Sequence, residues 1–307
     1  MLRFAVKRAL GAIPTLFLII AITFFMMRLA PGGPFDKERK VTAEVAANLA
    51  RAYHLDEPLF MQFGRYLGGL LQGDFGPSFQ YKDFNVSELI WHGFHVSWKL
   101  GLSAMVIAFV LGVSVGSLAA LRQNSVIDYA TMGVAMTGIA IPNFVMAPVL
   151  TLILGLYLRW LPVGGWGDGD LAHAVLPIAA LALPQVAVIA RLTRGSMIEV
   201  LRSNFVRTAR AKGLPERITI SRHAVKAAML PVVSYLGPWT ANTITGSVII
   251  EQIFGIPGIG RYFVQAALNR DYTLVLGVVI FYGAILIFLN LLVDLIYGWL
   301  DPKVRYD

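Results

Sequence analysis

The sequence predicts an all-α integral membrane protein with six transmembrane helices and both termini in the cytoplasm. Three observations carry this. Hydrophobic residues make up 57% of the 307 and charged residues 14%, and the mean hydropathy is +0.66, a balance outside that of soluble globular domains. Six stretches, roughly 9–27, 100–121, 129–158, 171–190, 228–250 and 273–300, are apolar enough to cross a hydrocarbon core that needs about 20 residues of helix. Backbone in lipid must satisfy its own hydrogen bonds, so the spans are helices. Finally, basic residues gather in alternate connections.

That last observation orients the chain. Segment 191–226 carries nine Lys or Arg against Glu199 and Glu216, a net of +7, whereas 31–95 nets −2 and 159–170 nets −1. The positive-inside rule places the N-terminus, the 122–128 turn, segment 191–227 and the C-terminal tail in the cytoplasm, with 28–99, 159–170 and 251–272 outside. Cytoplasmic anchoring accounts for the net charge of +8 and the pI near 9.8, so no nucleic-acid partner is needed.

Arg3, Lys7 and Arg8 precede the first span, which runs to Met27 with no small-x-small cleavage site, and residues 1–30 read as a retained helix. Residues 31–99 form a periplasmic insertion opened by Pro31, Gly32, Gly33 and Pro34. Thr42 is placed to cap a short helix with Val45, Leu49 and Tyr53 on one face. Pro58 starts a second, with Leu59, Phe63, Tyr66 and Leu70 on one stripe and Gly73 at its end. Such helices lie on the outer ends of the spans or on the membrane surface, because the insertion is too short for a core of its own.

The core domain, 100–307, holds the other five spans and the segment 191–227. Gly112 and Gly116 sit at packing distance in span two, Gly138, Pro142 and Pro148 interrupt span three, and Pro177 and Pro184 interrupt span four. Broken, closely packed helices suit a bundle that moves, although proline and glycine are common in membrane helices in any case. Pro142, Asn143 and Phe144 are candidates for lining a pathway; ordinary helix packing is the competing reading.

Ionisable side chains are scarce in these spans: His173, Asp294 and, just past span five, Glu251. Proton-coupled carriers need such groups near the midplane. Asp294 lies seven residues before Asp301, about 10 Å along a helix and near the interface, where pairing with an Arg is its expected role. Glu251 reads as a structural residue closing a helix. Sodium coupling through carbonyls and hydroxyls keeps an ion-coupled secondary transporter as the alternative.

The chain has no cysteine, no His-Glu-x-x-His metal site, no Gly-x-Ser-x-Gly elbow and no phosphate loop. The glycines of "FGIPGIGRYF" read as a tight outer loop. The expectation is a non-enzymatic chain that binds no cofactor.

One dense basic run stands out, "RTARAKGLPERITISRHAVKAAMLP", residues 207–231. A helix from about Ser196 to Lys212 would put Met197, Leu201, Phe205, Thr208 and Ala209 on one side and Glu199, Arg202, Ser203, Arg207 and Arg210 on the other. Gly213 suits a left-handed cap, Pro215 stops the helix, and 216–227 forms a second one leading to Leu230-Pro231. Such a helix–turn–helix fits either an anionic lipid surface or a partner's groove.

This segment resembles the coupling motif of permease subunits of binding-protein-dependent ABC importers: Glu-Ala-Ala, three residues, Gly, then a later Leu-Pro. Gly213 stands at the glycine, Ala209 at the second alanine and Leu230-Pro231 at the closing pair, while Arg207 and Thr208 replace Glu and Ala and the spacing to Leu-Pro is longer. The peptide-permease branch shares these departures. "FAVKRALGAIPTLFLIIAITFFMMRLAPGGPF", "GDFGPSFQYKDFNV", "AMTGIAIPNFVMAP", "VIIEQIFGIPGIGRYF" and "VDLIYGWLDPKVRY" resemble the same branch, the B-type permeases of bacterial oligopeptide importers.

The resemblance implies a type I ABC importer permease fold in the bacterial inner membrane. It implies a heterodimer with a homologous C-type permease, two ATPase subunits that carry ATP and Mg, a periplasmic peptide-binding protein and a peptide substrate. Dipeptide, nickel and opine permeases share the framework. Carried onto this chain, the ATPase-coupling residues are Arg207, Thr208, Ala209, Arg210, Ala211, Lys212, Gly213 and Leu214, with Ala209 and Gly213 as packing positions and Arg207, Arg210 and Lys212 as surface contacts.

Overall fold

A computed structural model describes residues 2–29, 51, 54–81, 83–245 and 247–300. Among them all regular structure is helical, apart from one isolated bridge between Pro77 and Asn85. The helices are α1 (Leu2–Leu29), α2 (Leu59–Leu71), α3 (Val86–Leu121), α4 (Val126–Ala140), α5 (Asn143–Leu150, continued by a π-helical run Thr151–Tyr157) and α6 (Leu171–Leu201). Then come α7 (Asn204–Ala211), α8 (Glu216–Ile218, joined through a π-helical run Thr219–Ala224 to α9, Val225–Thr245), α10 (Val248–Phe254), α11 (Ile259–Asn269) and α12 (Tyr272–Leu300). The expected helix using Val45, Leu49 and Tyr53, the tail from Asp301, and the side chain of Asp294 lie outside the described residues.

Among the described residues, four helices are long and apolar enough to cross a membrane: α1 over Leu10–Leu29, α3, α6, and α12 over Tyr272–Val293. A fifth crossing results if α4 and α5 count as one span, although they meet at 106°. The span expected over 129–158, interrupted at Pro142, is thus found as a broken pair. The cause is Pro142, which has no N–H to donate and whose ring disfavours helical backbone at Ile141, found extended at φ −101°, ψ 118°. Pro177 and Pro184, by contrast, lie inside an unbroken α6. The span expected over 228–250 corresponds to α9, which contains Pro231 and Pro238 and is less apolar than those four.

The second span also begins earlier than 100. Glu88 accepts the Asn85 N–H at 3.4 Å, and from there Val86, Leu89, Ile90, Gly93, Ser97 and Leu100 form one buried face at helical spacing. His92, His95 and Lys99 interrupt the apolar run in sequence but not that face. The 36 residues of α3 extend about 54 Å, so one end stands clear of a hydrocarbon core about 30 Å thick.

The central pair is α3 against α6, around Leu100, Ala104, Ala108, Leu176, Ala180 and Ile189. Lipid gives apolar helices no hydrophobic reason to associate, and close backbone approach at small residues takes its place. A Cβ on Gly112 would lie 2.7 Å from Ile189, one on Gly116 2.4 Å from the Ala190 carbonyl oxygen, and one on Gly138 of α4 2.6 Å from that of Leu183. We expect Gly112→Ala to cost about 1–3 kcal/mol through overpacking, read as a lower thermal midpoint of the purified chain; an unchanged midpoint would refute the packing account.

At one end of the bundle lie the 122–125 turn and the basic segment. At the other, residues 75–81, 83–85, 159–170 and 251–271 fold against one another. Ser78 Oγ donates to the buried Asp271 carboxylate at 2.5 Å, Gln80 Nε2 donates to the Asn269 carbonyl at 3.2 Å, and Tyr81 donates to Gln265 at 2.8 Å. The end of the insertion is thus latched to the loop between α11 and α12.

Candidate coupling and pathway sites

The basic segment is not one helix. α6 ends at Leu201, Arg202 and Ser203 make a bend, and α7 starts at Asn204. The bend resets the helical register. Val206 becomes fully buried against Ala120, Met197, Ala224 and Ala228 of the same chain, and Ala209 is left 7% exposed. Phe205 and Thr208, expected on the apolar side, are exposed instead. The outward stripe of α7 is Asn204, Arg207, Thr208 and Ala211, spaced at one helical face, with Lys212 exposed beside it.

Ala209, expected as a packing position, is 7% exposed within this chain. Arg210, expected as a surface contact, is exposed, and its guanidinium spans the turn to Glu216, with Nε–Oε2 at 3.1 Å and Nη2–Oε1 at 2.6 Å. Those hydrogen bonds hold the Glu216 carboxyl below its usual range. The clasp therefore persists above the ordinary carboxylate pKa and is lost as pH falls through the depressed value. It is exposed and screened by salt.

The cap at the end of α7 is as the sequence anticipates. The Leu214 N–H donates to the Ala209 carbonyl at 3.3 Å and the Gly213 N–H to that of Arg210 at 2.9 Å. This is the Schellman pair, which requires the left-handed backbone found at Gly213, φ +77°.

The elbow between α4 and α5 presents Pro142 and Phe144 on the surface and leaves Asn143 half-buried. Beneath it lies an almost wholly apolar groove of about 430 Å³ lined by Val115, Val134, Gly138, Met146 and Leu183 among others. At the end of α4 remote from the elbow, Asp128, 1% exposed, accepts from Arg194 Nε at 2.6 Å and Nη2 at 2.7 Å. Sequence reasoning missed this pair because it placed both residues in connections flanking the spans.

Glu251 has a definite structural task. Oε1 accepts from Ser247 Oγ at 2.5 Å and Ser97 Oγ at 2.6 Å; Oε2 accepts from the N–H groups of Gly260 at 2.8 Å and Arg261 at 3.3 Å. It ties α3 and α10 to the first turn of α11, where a carboxylate meets the positive end of the helix dipole. A Cβ on Gly258 would stand 2.3 Å from the Glu251 carboxyl carbon, so the glycines of "FGIPGIGRYF" make room for a carboxylate. Glu251→Gln turns an amide donor toward donors; we expect a loss of about 1–3 kcal/mol, seen as a lower melting midpoint, and a wild-type midpoint would contradict the assignment.

Residues 112–306 match the family described as binding-protein-dependent transport system inner membrane component. The chain belongs to that family. Residues 1–85 match the N-terminal module described as binding-protein-dependent transport system membrane component. The oligopeptide transport system permease protein OppB of Escherichia coli (strain K12) is 56% identical over 306 residues, covering 100% of both chains. OppB of Haemophilus influenzae is 54% identical over 100% of both. The dipeptide transport system permease protein DppB of Bacillus subtilis (strain 168) is 44% identical over 99% of this chain and 98% of its own.

A solved structure, the crystal structure of an amino acid ABC transporter with histidines, superposes with a TM-score of 0.55 at 17% identity, over 69% of this chain and 94% of that one. At that identity it speaks for the fold alone. Within this transport family the Schellman-capped α7 is the segment that carries the coupling resemblance, and its exposed groups, Arg207, Thr208, Ala211 and Lys212, form one continuous surface.

Proposed function

We propose that this chain is the transmembrane permease subunit of an ATP-driven importer that moves oligopeptides from a periplasmic binding protein into the cytoplasm. The match to OppB over the full length of both chains carries the reading. Dipeptide permeases stand at lower identity, which favours oligopeptides over dipeptides. In this reading the fold is of the type I importer class and has six spans, with the α4–α5 pair and α9 counted among them. Both termini are cytoplasmic, following the basic residues of segment 191–226. Residues 1–30 form the first span, 31–99 the periplasmic insertion, its last helical turns running into span two, and 100–307 the core domain.

A homologous C-type permease completes the pathway, and two ATPase subunits bind ATP and Mg and hydrolyse the nucleotide. Arg207, Thr208, Ala211 and Lys212 touch an ATPase; Gly213 and Leu214 hold the cap; Ala209 seats the helix and Arg210 braces the turn. Pro142, Asn143 and Phe144, at the elbow, line the pathway. His173 favours this over ion coupling, because its Nδ1 lies 2.9 Å from Asp170 Oδ2 at the start of α6 and serves the cap there. The test is mild-detergent purification of the tagged chain from its native membrane. Recovery of a second permease with phosphate-loop ATPases is expected; recovery of the chain alone or as a homodimer would move the assignment to an ion-coupled carrier.

A further inference from the structure

α2 carries two apolar faces, and among the described residues only one is packed against the rest of the chain. On the inner side Phe63 stacks among Phe17, Phe24 and Phe25 of α1, with ring centroids 6.0, 5.3 and 5.3 Å away, and Tyr66 stacks on Phe24 at 5.8 Å. On a second side Phe60, Gly64, Leu67 and Leu71 follow the spacing of a single helical stripe. Phe60 is 80% exposed and Leu71 90%. The helix's one charged residue, Arg65, lies on the opposite flank, paired with Glu57 at 2.7 Å.

Depth decides what this second stripe faces. The apolar part of α1, Leu10–Leu29, has 20 residues, the length of a hydrocarbon core. Phe17 to Phe25, the residues that hold Phe60 and Phe63, sit about 6–18 Å along the helix from its Leu29 end. A ring packed there lies below the headgroups. The stripe is also continuous with a surface that already faces lipid: Phe60 meets Phe25 at 5.7 Å, and Phe25 is flanked on α1 by the exposed Ile22, Met26 and Leu29.

We propose that α2 is a monotopic helix seated in the leaflet at this end of the bundle, with Phe60, Leu67 and Leu71 against acyl chains and the Arg65–Glu57 pair at the headgroup level. This surface binds lipid and is not a docking site for a soluble protein. The inference needs only the spanning of α1 and stands whatever the cargo is.

The natural absence of cysteine makes the test direct. Phe60→Cys, Leu67→Cys, Leu71→Cys and, as an aqueous reference, Asp56→Cys are each spin-labelled in the complex purified from its membrane and reconstituted in phosphatidylethanolamine–phosphatidylglycerol bilayers. Collision with oxygen and with a water-soluble nickel chelate is then measured. The oxygen-to-nickel collision ratio is expected to be severalfold higher at positions 60, 67 and 71 than at 56. Equal ratios would place the stripe in water, and exclusion of both quenchers would place it under protein; either overturns the proposal. Any two of the three sites that assemble suffice.

Discussion

Asp128→Ala is expected to cost about 1–3 kcal/mol of stability and to lower peptide uptake more than tenfold. Asp128 is buried and accepts two hydrogen bonds from Arg194 and one from the Asn124 N–H at 2.9 Å. Removing it leaves a guanidinium without its counter-charge between two helices. In the proposed mechanism the damage falls on the route to the coupling segment, because the pair joins the first arm of the broken α4–α5 unit to α6, which ends seven residues beyond Arg194, just before α7. The thermal midpoint and uptake of the variant are the measurements, and wild-type values for both would refute the role. A double variant, Asp128→Leu with Arg194→Met, separates stability from coupling. It is expected to recover most of the midpoint, since an apolar pair carries no desolvation cost.

Gly213→Val is expected to abolish coupled uptake while the chain still assembles in the membrane. At φ +77° a β-branched side chain meets its own backbone. Nothing lies within 4 Å of the position a Cβ would take, so the penalty is conformational and not a clash with neighbours. That distinction gives the control: Gly213→Asn, which tolerates left-handed backbone, should retain most of the uptake. The readout is ATP hydrolysis against peptide uptake in the same vesicles. For the Val variant hydrolysis should continue while uptake falls at least tenfold, the factor that about 1.4 kcal/mol produces. Equal uptake by wild type and the Val variant would end the cap account.

The all-helical membrane class was legible from composition and hydropathy alone, because lipid leaves the backbone few options. So was the cap at Gly213, which is a local matter of four residues. The register of α7 was not. Reading Ser196 to Lys212 as one helix put Phe205 and Thr208 inward, and the two-residue bend at Arg202 and Ser203 rotates them out and Val206 and Ala209 in. Ser203 followed by a new apolar pair at 206 and 209 was the available sign of a second helix start. The onset of α3 was hidden by His92, His95 and Lys99, although the spacing of Val86, Leu89, Ile90 and Gly93 already marked a helical face. Asp128 and Arg194 lie 66 residues apart, and no local pattern announces a pair that only the crossing of α4 and α6 brings together. Glu251 was seen as structural, but its four donors come from α3, the start of α10 and the start of α11, a convergence that exists only after folding.

The most direct test is uptake of a labelled oligopeptide by proteoliposomes holding the complex purified from its own membrane, with its peptide-binding protein added on the substrate side. Uptake is expected to require both ATP on the opposite side and the binding protein, and to continue when ionophores collapse the proton and sodium gradients. Uptake that follows an imposed ion gradient without ATP would contradict the assignment and return the chain to the class of ion-coupled carriers.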